Sequence, residues 1–217
     1  MSDFRIKTCV LGGVSTNCYV IYREGGTEAV LIDPADNGPY LLNLCRELGV
    51  EPVAVLLTHG HFDHILAADD IRRAFRCKIY VGMNEERMLG DPSLNLSGTL
   101  GTEQMGINAD DLMRDGEVLK FLGRDWKVLF TPGHTEGSVC FYIASEQVLF
   151  SGDTLFADSL GRTDLPTGSS AKIVRSITET LFALPEDTMV YPGHGDPTTI
   201  GHEKQFNPVA VYCNRHS

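Results

Sequence analysis

Val53-Ala54-Val55-Leu56-Leu57-Thr58-His59-Gly60-His61-Phe62-Asp63-His64 joins a continuous apolar run to a turn crowded with metal-binding side chains. Five apolar residues without alternation mark a strand covered on both faces. Beyond it, His59-x-His61-x-Asp63-His64 gathers three of the chain's seven histidines within six residues. Imidazole and carboxylate suit Zn²⁺, Fe²⁺ or Mn²⁺, and the lack of thiolates speaks against a soft-metal site. So short a segment cannot easily wrap a single ion with all four groups, so a division between two adjacent ions is expected.

Outward from this stretch, strands are predicted at Phe4–Leu11, Asn17–Tyr22 and Ala29–Ile32, parted by Gly12-Gly13 and Gly25-Gly26 and closed by Asp33-Pro34. A helix fits Tyr40–Leu48, with Leu41, Leu44, Cys45 and Leu48 on one face and Gly49 beyond it. A second helix is expected from the histidine turn to about Phe75, then a strand at Lys78–Val81. Gly82–Asp115 has weak periodicity and reads as helical turns and loops; Met83, Met88, Leu89, Leu94, Leu96 and Met105 would either line a lid or anchor the segment to the core. Further strands fit Lys127–Thr131, Ser138–Ile143, Gln147–Ser151 and Met189–Tyr191, with a helix at Ala171–Ala183. Strands interrupted by helices in both halves imply an α/β layer arrangement with helices outside buried sheets.

Three of these strands end as the first does. Phe130-Thr131-Pro132-Gly133-His134, Leu149-Phe150-Ser151-Gly152-Asp153 and Val190-Tyr191-Pro192-Gly193-His194 each run into a turn carrying a histidine or an aspartate. Each alone is an ordinary turn. Together with the first cluster they put five of seven histidines at strand ends beside turn glycines, a pattern a purely structural origin does not produce. His202 and His216 lie outside it and are expected to be exposed or structural.

The bulk properties bound the function. A net charge of −11, from 18 basic and 29 acidic side chains, opposes binding to nucleic acid or anionic lipid. No apolar run is long enough to span a membrane, and no secretory leader is expected, so a cytoplasmic location follows. Cys9, Cys18, Cys45, Cys77, Cys140 and Cys213 are scattered without a C-x-x-C pair and read as small buried hydrophobes in a reducing compartment.

Thr-His-Gly-His-Phe-Asp-His, Pro-Gly-His-Thr-x-Gly-Ser, Gly-Asp-Thr-Leu-Phe and Pro-Gly-His-Gly stand here in the order and approximate spacing of the metallo-β-lactamase superfamily, which the chain resembles over nearly its whole length. The resemblance implies one domain over residues 1–217, a four-layer αβ/βα sandwich with two facing mixed sheets and the metals along their shared edge. It assigns His59, His61 and His134 to one metal, Asp63, His64 and His194 to the second, and Asp153 to both. The implied cofactors are two divalent ions, Zn first, with Fe or Mn as alternatives. Asp63 and Asp153 would be the catalytic carboxylates around a bridging water whose pKa the ions lower.

Asp153-Thr154-Leu155-Phe156, Gly161-Arg162-Thr163-Asp164-Leu165-Pro166 and the Thr198–Lys204 ending are similar to short glyoxalase II-like hydrolases. This implies hydrolysis of a small-molecule thioester such as S-lactoylglutathione by a metal-bound hydroxide, in a monomer or homodimer. Only about twenty residues follow His194, fewer than the C-terminal helical extension with which full-length glyoxalase II enzymes bind glutathione. Arg162 is the candidate for holding a substrate carboxylate, its alternative being a loop ion pair with Asp164 or Asp158. Gly161–Asp164 is also similar to persulfide dioxygenases, which use one iron. Retention of all seven ligand positions favours two-metal hydrolysis. β-Lactamase activity is not expected, since nothing outside the shared motifs resembles those secreted enzymes.

Overall fold

The computed structural model describes residues 2–101 and 103–211; Cys213 and His216 lie outside the described residues. The first half forms β1 (Phe4–Leu11), β2 (Thr16–Arg23), β3 (Glu28–Ile32), α1 (Gly38–Leu48), β4 (Glu51–Leu56), α2 (Phe62–Ile65), α3 (Ala68–Phe75), β5 (Lys78–Gly82), α4 (Glu86–Gly90) and β6 (Asp111–Met113). Its six strands make one mixed sheet in sequence order, antiparallel through β3 and parallel from β3 to β6.

The second half forms β7 (Val118–Phe121), β8 (Arg124–Phe130), β9 (Val139–Ile143), β10 (Val148–Gly152), β11 (Leu155–Phe156), β12 (Ser159–Leu160), α5 (Ser170–Arg175), β13 (Met189–Pro192), β14 (Thr198–Thr199) and α6 (Ile200–Phe206). A second mixed sheet runs β14-β13-β10-β9-β8-β7, with β13 parallel to β10, and β11–β12 is a separate hairpin.

Strand periodicity sorts the apolar side chains into three cores. Successive side chains of a strand point to opposite faces. In β3, Ala29 and Leu31 pack in the outer core under α1 and α3, while Val30 and Ile32 face the other sheet. In β4, Val55 goes outward and Ala54 and Leu56 inward. Across the gap, Val148 and Phe150 of β10 point inward and Leu149 faces the third core with Ile173, Ile177 and Leu181. The result is the αβ/βα sandwich, and the unbroken apolar run Val53–Leu57 is explained by burial on both faces.

Three expectations need correction. Gly82–Asp115 is not all turns and loops, because Asp111–Met113 forms β6, parallel to β5. The second expected helix is two, α2 and α3, parted at Leu66-Ala67. The third begins as α5 and continues over Ser176–Leu181 as a wider π turn, which keeps Ile173, Ile177 and Leu181 on one buried face. In Gly82–Asp115 itself, Met88, Leu89 and Leu96 are buried and Met105 packs on the outer core, so these residues anchor the segment. No helix among the described residues is long and apolar enough to cross a membrane.

Candidate metal centre

β4, β8, β10 and β13 all end at one edge of the sandwich, and their end turns meet there. Backbone bonds join the sheets at this edge: Asn17 N donates to Gly193 O at 2.7 Å, and Val139 N to Thr58 O at 2.8 Å. Gly193 allows the close approach, since a Cβ there would collide with Asp153 Oδ1 and His64. Gly152 has φ +49°, and a Cβ on it would strike Thr58.

All seven expected ligands are brought together. His59, His61 and His134 form one group, Asp63, His64 and His194 a second, and Asp153 joins His59 and His64 in a third. His61 Nδ1 and His134 Nε2 lie 2.9 Å apart. His64 Nε2 is 3.4 Å from Asp63 Oδ2 and 3.5 Å from Asp153 Oδ1. His194 Nε2 is 3.4 Å from Asp63 Oδ2 and 3.5 Å from Asp153 Oδ2, which is also 3.5 Å from His134 Nε2. Apart from the 2.9 Å His61–His134 contact, these separations are long for hydrogen bonds. They match the edge of a tetrahedron of ligands, about 3.4 Å when each bond is about 2.0–2.1 Å.

A second observation fits the same groups to cations. His59 Nε2, His61 Nε2, His64 Nε2 and Asp153 Oδ1 are buried without a hydrogen-bond partner. Buried polar atoms are rarely left so. Three of the rings are aimed by their other nitrogen. His134 Nδ1 donates to Arg162 O at 2.8 Å, and His64 Nδ1 to Asp33 Oδ2 at 2.9 Å. Thr58 Oγ1 donates its proton to Asp33 Oδ2 at 2.6 Å and so accepts from His59 Nδ1 at 3.1 Å. Such outer hydrogen bonds fix the tautomer and leave Nε2 free to ligate.

The electrostatics are divided. Burial, aided by the neighbouring imidazoles, drives His59 well below the usual histidine range and His61 down to about 3. Both are therefore neutral, as ligation requires. Burial opposes charge on His64 too, but Asp63, Asp153 and Asp33 overcome it and raise its pKa to about 10. Asp63 is held below the carboxylate range in spite of burial, by His64, His194 and the Thr16 hydroxyl, which donates to Oδ2 at 2.7 Å. One half thus offers two neutral imidazoles, His59 and His61, beside the His134 ring, and the other a site where negative charge gathers around a cation.

Asp33, Thr58, Thr16 and Glu85 were not singled out from sequence. A charged residue immediately after the apolar Ala29–Ile32 strand was the available sign for Asp33. Glu85 is fully buried, and its Oε1 accepts from Gly60 N at 2.9 Å, between two candidate ligands. Burial raises its carboxyl to about 7, against the hydrogen bond from Gly60 N that favours the anion, and its Oε2 is buried without a hydrogen-bond partner. A carboxyl whose folded pKa lies above its unfolded value gives stability that is full below the unfolded pKa and lost as pH rises through the folded one. Glu85→Gln is therefore expected to gain on the native protein as pH rises from about 4.5 to about 7, whatever the offset between them. Urea unfolding of both at several pH values checks this, and parallel pH profiles would refute it.

Arg162 stands beside the centre through its carbonyl, while its guanidinium is forked onto Asp164, with Nε and Nη2 each 2.7 Å from a carboxylate oxygen. His202 is 42 % exposed and bonded to Asp158 at 2.7 Å. Its neighbour Glu203 is buried and satisfied by Thr198, Asn207 and Asp158 N, so this group is a structural tie. Cys9, Cys18, Cys45, Cys77 and Cys140 are free and buried.

Residues 11–194 match the family described as the metallo-beta-lactamase superfamily. The probable metallo-hydrolase YqgX of Bacillus subtilis is 38 % identical, over 91 % of this chain and 93 % of that protein. Hydroxyacylglutathione hydrolase GloC of Haemophilus influenzae is 34 % identical, over 88 % and 91 %. Among solved structures, BLEG-1 B3 metallo-beta-lactamase aligns with a TM-score of 0.91 at 40 % identity, covering 95 % of this chain and all of that one. TTHA1623 in a di-iron-bound form aligns at 0.82 with 34 % identity, over 93 % and 98 %. The chain belongs to the metallo-β-lactamase superfamily and is a metal-dependent hydrolase of that fold.

Proposed function

We propose that this chain is a two-metal hydrolase of small-molecule thioesters, with S-lactoylglutathione as the type of bond cleaved. The observation that carries this is the pairing of a three-histidine group with an Asp-His-His group, with Asp153 between them. His59, His61 and His134 would hold one ion, Asp63, His64 and His194 the other, and Asp153 both. Zn suits the nitrogen-rich half, and the di-iron form of TTHA1623 supports Fe as the alternative. When bound, such a pair lowers the pKa of a shared water toward neutrality and polarises an acyl carbonyl.

The chain's own residues supply position. Asp63, fixed by the Thr16 hydroxyl, is placed to orient the attacking water. His194 is 29 % exposed against 3 % for His134, so substrate approaches from the Asp63–His194 side. A thioester carbonyl is electrophilic and its thiolate leaves readily, so the site needs no separate proton donor for departure. The similarity to GloC supports the thioester class. On the same reading the chain is a single domain, acts in the cytoplasm as a monomer or homodimer, and has no nucleic-acid or membrane partner.

The test is a parallel assay of the metal-loaded chain on S-lactoylglutathione, on glutathione persulfide with an oxygen electrode, and on a β-lactam. Thioester cleavage without oxygen uptake is expected. Oxygen consumption on the persulfide by a one-iron protein would favour the dioxygenase alternative. The likeness to BLEG-1 bears against the expectation drawn from sequence and makes the β-lactam arm necessary. Arg162 is proposed to contact substrate once Asp164 is displaced from its fork. Arg162→Ala is expected to raise KM roughly three- to tenfold with metal content intact, because the carbonyl that aims His134 remains. Loss of metal in that variant would contradict the role.

A further inference from the structure

A cavity of about 290 Å³ meets the metal centre at Asp63 and is walled by Val14, Phe62, Leu66 and Leu100, with the carboxylates of Asp36 and Glu103. Val14, Leu66 and Leu100 are 53, 37 and 62 % exposed. Large apolar side chains left open to solvent around a hollow that joins reactive groups mark a surface kept for a ligand. Among the described residues no lysine, arginine or histidine lines the cavity and neither Asp36 nor Glu103 joins an ion pair; Asp36 Oδ1 accepts from the backbone N of Asn37. Arg162 belongs to the other half of the centre, where it contacts His134 and is neutralised by Asp164. A metal-loaded site offsets the charge of Asp63, but not that of Asp36 or Glu103.

We propose that this cavity binds the non-reacting arm of the substrate, and that the arm is an apolar chain ending in a cation; one ending in a carboxylate is rejected. The apolar walls supply area, and the two carboxylates in the lining read the charge the arm carries. A thiol carrier with free carboxylates must keep them out of this cavity. The inference rests on the proposed function only for the kind of bond cleaved.

Binding separates the two claims. Aminohexanethiol, mercaptohexanol and mercaptohexanoate share a thiolate that anchors on the metals and differ only at the end of the arm. Each is titrated calorimetrically into the metal-loaded full chain. The amine is expected to bind about tenfold more tightly than the carboxylate, with the alcohol between, as two partly screened charges allow. In Asp36→Asn/Glu103→Gln the spread should fall to about twofold. In Glu179→Gln/Glu186→Gln, an equal change in net charge at exposed positions, it should persist. Equal binding of amine and carboxylate, no binding by any of the three, a spread that survives in the first variant, or an equal collapse in the second would each overturn the proposal. The S-acetyl thioesters of the same thiols then test the chemistry. The expected binding order without turnover would leave the cavity's role standing and refute the thioester reading.

Discussion

Replacing Asp153 with alanine is expected to strip both halves of the metal centre and lower kcat/KM by a factor on the order of 10³ or more. Asp153 follows β10, and its two oxygens diverge. Oδ1 is 3.5 Å from His64 Nε2, and Oδ2 is 3.5 Å from both His134 Nε2 and His194 Nε2. No other carboxylate touches both histidine groups among the described residues. Its removal leaves the His59, His61 and His134 group without a carboxylate, and the other group with Asp63 as the one carboxylate facing His64 Nε2 and His194 Nε2 among the described residues. Asp153→Asn keeps the shape but not the charge and should fall between. Elemental analysis after desalting, beside the hydrolysis assay, checks the expectation. Full retention of one ion together with wild-type turnover would show that Asp153 bridges nothing.

Asp33→Ala is expected to cost about 3–5 kcal/mol of stability and to weaken metal binding roughly ten- to a hundredfold. Asp33 is 1 % exposed and accepts from Thr58 N at 2.8 Å, Thr58 Oγ1 at 2.6 Å and His64 Nδ1 at 2.9 Å. Alanine would bury three donors with no acceptor and release both His64 and, through Thr58, His59. Asp33→Asn restores the volume but puts amide hydrogens against some of those donors, so it should rescue folding further than metal affinity. Urea unfolding of the metal-free variants and a metal titration separate the two effects. Stability within about 1 kcal/mol of wild type with unchanged affinity would contradict the role.

The ligands were legible because each sits in a turn directly after an apolar strand, and strand ends of one sandwich collect at an edge. His59 to His64, His134, Asp153 and His194 needed only order and residue type. What holds them in place was not legible. The Asp33–His64, Thr16–Asp63 and Glu85–Gly60 contacts join elements 25 or more residues apart and leave no local pattern. β6 escaped notice for a similar reason: it is three residues long, lies at a sheet edge and pairs only with β5. α6 was missed because Ile200 and Glu203 are its only buried residues, which gives no apolar stripe to read. Of the two roles open for the apolar residues of Gly82–Asp115, the structure shows anchoring for Met88, Leu89, Leu96 and Met105. Met83 is exposed instead, and Leu100 and Glu103 are the side chains of the segment that line the cavity beside Asp63.

A two-ion centre shared through Asp153 fixes the number of metals the active protein needs. The full chain is stripped with chelator and reloaded in steps, with metal content and thioester hydrolysis followed together. Activity is expected to return in step with the second ion and to saturate near two ions of Zn, Fe or Mn per chain. Full activity at a single ion per chain would contradict it.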